Sequence, residues 1–196
     1  MTVFERLCRI TSAFGRRSYV YQGKTIREDH KGIDLVPTRY AGEAVPESAW
    51  RVREVTGGKV LHIKRDNARG LYVDIETAPD TFERYQHLQA VYVAAGQQVG
   101  QGTVIALAGS TGQGTGRHLH FGVYKGGAAE ACAVDPSPWL GLPNKAGTYD
   151  GNNDMDEPTV TLYKATYGPV SAGDKQQVDA LAQRQGVPVT WTEVQT

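Results

Sequence analysis

Over the first two thirds of the chain, apolar residues recur at every second position in short runs, and glycines end the runs. GKVLHIK (58–64), GLYVDIE (70–76), FERYQHL (82–88), AVYVAAG (90–96), GTVIALAG (102–109) and HLHFGVY (118–124) are alternating or continuous β-formers. A repeat of two is the repeat of a strand, whose side chains alternate between faces. Short runs between Gly-rich turns predict a mainly β domain, an antiparallel sandwich or open barrel, over residues 9 to about 140. No 12-residue window in that region holds a 3.6-residue period. The stretch RYAGEAVPESAWRV (39–52) breaks the alternation and reads as a surface loop.

The pattern changes after about residue 135, where Pro, Gly, Asn and Asp accumulate and mark a linker, placed at 143–158. Beyond it, TVTLYKATY (159–167) alternates like a strand. GDKQQVDALAQRQG (173–186) has Val178, Leu181 and Ala182 on one helical face, with Asp174 near its start and Gly186 at its end. VPVTWTEV (187–194) reads as a second strand. The expected organisation is a main domain over 1–142, a linker, and a small β-α-β module over 159–196. A unit that small buries too little surface to stand alone. Its helix face therefore predicts a homodimer or a binding module.

Charge narrows the partners. Lys and Arg number 21, as do Asp and Glu, so the net charge is zero and no basic run offers itself to nucleic acid. No apolar stretch approaches the length of a membrane span. The opening MTVFERLCRI lacks the basic and apolar regions of a secretory signal. Cys8 and Cys132 form no C-x-x-C pair, and their spacing leaves a disulfide open.

The candidate chemistry lies in five histidines: His30, His62, His87, His118 and His120. His118 and His120 are two apart in a strand and face one space, while Leu119 and Phe121 face the other. Two imidazoles on one strand face suit a metal or a proton transfer better than a core. His30 and Asp34 are four apart in EDHKGIDLV. In a fully extended segment they would be roughly 13 Å apart, so a turn at Lys31-Gly32 is needed to bring them to one ion. His87 follows Tyr85 by two and should share its face. His62 shares a face with Val60 and Lys64, and Lys64 marks that face as solvent.

In order along the chain, HKGIDL, GGKVL, YQHL, VAAGQQVGQGTVIALAGSTGQGTGRHLHF and DPSPWL, preceded by RITSAFGRR, resemble the lysostaphin/LytM-type zinc metallopeptidases, which cut peptide crosslinks in bacterial peptidoglycan. The resemblance implies the family's duplicated-hybrid-motif β fold and one Zn²⁺ per chain, held by His30, Asp34 and His120. It implies that His118 and His87 act beside the reacting water without binding the ion. It also implies a tyrosine near the oxyanion, with Tyr19 and Tyr21 as candidates. Three His/carboxylate ligands and one open position are the donor set of catalytic zinc. Without a free Glu in the motif, a histidine pair is left to do the acid–base work. Two departures stand out: Gly122 follows Phe121 where many members have Glu, and the 39–52 loop is longer than usual. The expected site of action is the cell wall, reached by phage-type release, on a particle, or as a trimmed form of a secreted protein. Rival readings are an inactive relative that binds the wall or activates other enzymes, and a carrier β-domain. The hairpin-like 93–109 segment lacks the lysine a carrier needs.

Overall fold

The alternating runs become antiparallel strands in a computed structural model, which describes residues 3–4, 8–21, 23–38, 44–114 and 116–149. The strands are β1 (Cys8–Ser12), β2 (Gly15–Tyr21), β3 (Lys24–His30), β4 (Ile33–Pro37), β5 (Arg51–Arg53), β6 (Gly57–Asp66), β7 (Gly70–Ala78), β8 (Thr81–Val91), β9 (Gln98–Gly100), β10 (Val104–Ala108), β11 (Leu119–Lys125), β12 (Ala133–Val134) and β13 (Gly147–Tyr149). A short helix, α1 (Ser137–Leu140), and two single 3₁₀ turns complete the described chain. The β-α-β reading of 159–196 and the linker beyond Tyr149 lie outside the described residues.

The main sheet runs β13-β1-β4-β11-β8-β7-β6-β9, with β10 bridging β8 and β5 and β12 beside β11. It does not close into a barrel. β2 and β3 form a separate two-stranded hairpin. Residues 143–149, which composition assigns to the linker, contain β13, paired with β1 through Arg9↔Thr148. Asn144 Oδ1 also accepts a hydrogen bond from the Phe14 backbone N–H at 2.8 Å. Polar composition there reflects an edge strand, not a free tether.

One face of the sheet is apolar. Ile10, Ile33, Leu35, Val73, Ile75, Tyr85, Leu88, Ile105, Leu119, Phe121 and Val123 are fully buried in a single cluster. Burying each aliphatic side chain of this size is worth about 1.5–3 kcal/mol, so the register that points them inward is strongly enforced. The same register turns Asp34, Gln86, His120 and Tyr124 to the opposite face. Cys8 is buried in β1, Cys132 is half-buried, and no disulfide joins them.

Two bulges change the alternation read from sequence. In β6 the register shifts between Val60 and His62. Val60 and Ile63 both reach the core, while His62 and Lys64 are exposed. In β8 the pairs Leu71↔Leu88 and Val73↔Tyr85 leave Gln86 and His87 opposite one residue of β7. His87 sits there at φ 62°, a left-handed conformation uncommon without glycine. Tyr85 and Leu88 consequently share the core face. The expectation that His87 shares Tyr85's face is corrected: His87 points with Gln86 to the polar side.

Candidate metal centre

His30 is the last residue of β3, in the hairpin, and Asp34 is the second residue of β4, in the main sheet. The chain crosses between the sheets at Lys31-Gly32, the turn that the i,i+4 spacing requires. His30 Nε2 then lies 3.1 Å from Asp34 Oδ1. Gly32 is demanded by close approach. A Cβ there would collide with His120 Nε2 and stand 2.8 Å from its Cε1.

His120 comes from the other side. It is the register partner of Asp34 across β4–β11 and of Gln86 across β11–β8. Its Nδ1 lies 2.9 Å from Asp34 Oδ1 and 3.0 Å from His30 Nε2. The three candidate donor atoms thus form a triangle with edges of 2.9–3.1 Å.

The proton positions test whether a cation belongs there. His30 Nδ1 lies 2.8 Å from the Ala13 carbonyl oxygen. A carbonyl only accepts, so Nδ1 of the neutral ring carries the proton and Nε2 carries a lone pair. That lone pair faces a carboxylate oxygen, and two acceptors at this distance repel unless a cation or proton lies between them. Two imidazole nitrogens and one carboxylate oxygen are a donor set suited to a divalent ion with bonds of about 2.0–2.2 Å. Burial opposes ionisation of Asp34, but with a proton or cation on the facing imidazole nitrogens its contacts to His120 and then His30 outweigh burial and hold the carboxyl well below its usual range. Burial lowers His120 and favours its neutral, ligating form.

His87 and His118 flank the triangle. Their ring centroids are 4.7 Å apart, and His87 is 6.0 Å from His120. Each Nδ1 donates to a carbonyl at 2.8 Å, His87 to Thr111 and His118 to Gly116. Each neutral ring therefore keeps its Nε2 lone pair available. His118 Nε2 is 3.8 Å from Asp34 Oδ1. Burial, reinforced by the neighbouring His118 and His120, pushes His87 down to about 4 despite the Thr111 hydrogen bond.

These groups lie in an open groove of about 920 Å³, large enough for several residues of an extended peptide. Tyr19, on β2, lines one wall, with Arg17 Cζ 5.3 Å from its ring centroid. Tyr21 ends β2, and its side chain lies outside the described residues. The space above Gly122 is already filled: a Cβ there would be 3.0 Å from Tyr124 Cε2. Tyr124 OH donates to Glu130 Oε2 at 3.3 Å, so a carboxylate from the 126–133 loop reaches this region.

Five residues that support the site escaped the sequence reading. Arg17 Nη1 donates to Asp34 Oδ2 at 3.1 Å. Thr111 supports His87 through its carbonyl oxygen, while its Oγ1 accepts from the Leu71 N–H and donates to the Leu88 carbonyl. On the far wall, Glu130 Oε1 accepts from Arg69 at 3.3 Å and from the buried Arg84 behind it at 3.2 Å. The first two sit inside recognised segments, AFGRR and GSTGQG, yet nothing in spacing says what they touch.

The profile of peptidase family M23 matches residues 28–136. The peptidoglycan DD-endopeptidase ShyB of Vibrio cholerae serotype O1 is 37% identical over 116 residues, covering 59% of this chain and 25% of ShyB. The murein hydrolase activator EnvC of Escherichia coli K12 is 36% identical over 91 residues, covering 46% of this chain and 20% of EnvC. Among solved structures, LytU superposes with a TM-score of 0.55 at 34% identity, over 69% of this chain and 87% of that one. The chain spans about a quarter of the length of ShyB.

Proposed function

The chain belongs to peptidase family M23, and on that premise we propose that it is a zinc-dependent endopeptidase hydrolysing peptide crosslinks or stem peptides of bacterial peptidoglycan. The observation that carries the reading is the convergence of His30 Nε2, Asp34 Oδ1 and His120 Nδ1 to within 3.1 Å of one another, beside two histidines tethered through Nδ1. His30, Asp34 and His120 would hold the ion. Zn²⁺ bound there supplies Lewis acidity, polarising a carbonyl oxygen and making a water acidic near neutral pH.

The chain's own residues do the rest. The groove binds the peptide in extended form against the β2–β3 wall. His87 Nε2, neutral because its ring is buried, accepts a proton from the attacking water. The proton taken by His87 is then given to the leaving amine, directly or relayed through His118, whose ring lies beside it, and His118 in that protonated state hydrogen-bonds the developing oxyanion. Tyr19, at the groove wall, contributes its hydroxyl to the same oxygen. The region 159–196 serves self-association or wall binding rather than chemistry, because it contains no histidine or cysteine.

The test is digestion of purified cell walls of two crosslink types, with new amino termini identified by mass and zinc counted per chain. Release of peptides by the wild type and not by His118→Ala supports the reading. Stoichiometric zinc without any new terminus would count against hydrolysis of these crosslinks, and a wild type that releases nothing and holds no metal would end the reading in favour of the inactive, activator-type relative that the EnvC match raises. Truncation after Asn152 should leave hydrolysis of a soluble peptide intact while reducing dimer mass or wall pelleting.

A further inference from the structure

The two oxygens of Asp34 are used differently. Oδ1 faces His30 and His120, whereas Oδ2 accepts from Arg17 Nη1 at 3.1 Å. The same Nη1 donates to Ser12 Oγ at 2.8 Å. The other edge of the guanidinium is held by Glu28 Oε1, at 2.8 Å from Nε and 2.6 Å from Nη2. Glu28 is the register partner of Arg17 across β2–β3. A guanidinium is a rigid planar fork. With Glu28 gripping one edge, its opposite corner is fixed over Asp34, and rotation of the carboxylate about Cβ–Cγ would break that contact.

We propose that Arg17 is a positioning residue that keeps Asp34 Oδ2 off the ion, so that Asp34 binds through Oδ1 alone and one position stays open for the reacting oxygen. The inference rests on the metallopeptidase reading above. A carboxylate can bind a metal through one oxygen or two. Released from Arg17, Asp34 can turn its second oxygen to the ion and fill the place that water or the scissile carbonyl must occupy. The same contact joins the β2–β3 wall, which carries Tyr19, to the metal centre, so the wall and the ion keep a fixed relation.

The test replaces zinc with Co²⁺, whose visible bands are intense when four-coordinate and weaken as coordination rises. Wild type, Arg17→Gln and Arg17→Lys are compared for cobalt absorption, turnover number and KM, with zinc-free melting curves reporting the fold. The wild type should show the intense four-coordinate bands, and Arg17→Gln weaker bands together with a turnover number lower by about 10- to 100-fold at nearly unchanged KM. Arg17→Lys should resemble Arg17→Gln, because an ammonium cannot span Asp34, Ser12 and Glu28 at once. Identical cobalt spectra in wild type and Arg17→Gln would overturn the inference while leaving the peptidase reading standing. Full restoration by lysine would overturn it in favour of charge alone. A wild type that holds no metal would overturn the peptidase reading and this inference with it.

Discussion

Asp34 and His120 stand directly opposite each other on β4 and β11, with Oδ1 of one 2.9 Å from Nδ1 of the other. Cross-strand partners in an antiparallel pair have Cβ atoms only about 4.5–5.5 Å apart, so sheet pairing alone brings these two groups together. The core residues on either side, Leu119 paired with Leu35 and Phe121 with Ile33, enforce that register from the opposite face.

Replacing a donor of the triangle should remove the ion and leave the fold. His30→Ala and His120→Ala are expected to lose stoichiometric zinc on dialysis against a weak chelator and to lose measurable hydrolysis. Metal counting by mass spectrometry, with melting curves of the zinc-free proteins as control, checks this. Full occupancy in either variant would remove that histidine from the ligand set.

His87→Ala and His118→Ala should keep zinc but lower the turnover number by about 10² to 10⁴, the range for a positioned acid or base. The pH behaviour of His87 follows from its lowered value of about 4. Its neutral form is favoured in the folded state. The stability this contributes is complete above the unfolded value near 6.5 and is lost as pH falls through about 4. In the zinc-free protein, NMR titration of the ring should therefore inflect well below 6.5. An inflection at or above 6.5 would contradict the burial argument.

Gly32→Ala places a methyl group against the His120 ring and the Phe121 carbonyl oxygen, 2.5 Å away. Relief requires moving β3–β4 or the imidazole. The expected cost is about 1–3 kcal/mol, as for overpacking elsewhere, together with weaker zinc retention. Denaturant midpoints and a chelator competition measure the two effects, and a variant indistinguishable from wild type in both would show that the turn yields freely.

Glu83 is buried on the core face of β8, where Thr56 Oγ1 donates to it and Tyr85 OH donates at 2.7 Å. Burial, and then the nearby Glu54 carboxylate, pushes it up to about 8. The folded state binds the extra proton, so this stability is complete below the unfolded value near 4.5 and is lost as pH rises through about 8. Between pH 6.5 and 8 the wild type should lose on the order of 1 kcal/mol per pH unit relative to Glu83→Gln. Parallel stability curves for the two proteins would mean that Glu83 is already ionised at neutral pH.

Sequence alone determined the strand-rich class and singled out the candidate chemistry-bearing residues. Both are properties of local pattern: a repeat of two sorts residues between faces, and histidines in G-x-G-T-G-R-H-L-H-F or H-x-x-x-D are visible at any distance. The tertiary structure decided which of those residues meet. His87 reaches the groove because a bulge at Gln86-His87 reverses the face that alternation predicts, and a bulge is a mismatch between two strands that neither strand shows by itself. Gly32 matters because the His120 ring arrives from 88 positions downstream. Arg17 reads as one of two adjacent arginines until the hairpin folds over β4 and sets its guanidinium on Asp34. The choice of nitrogen on each histidine was likewise left to the fold. It depends on the carbonyls of Ala13, Thr111 and Gly116, and backbone acceptors leave no mark in a side-chain sequence.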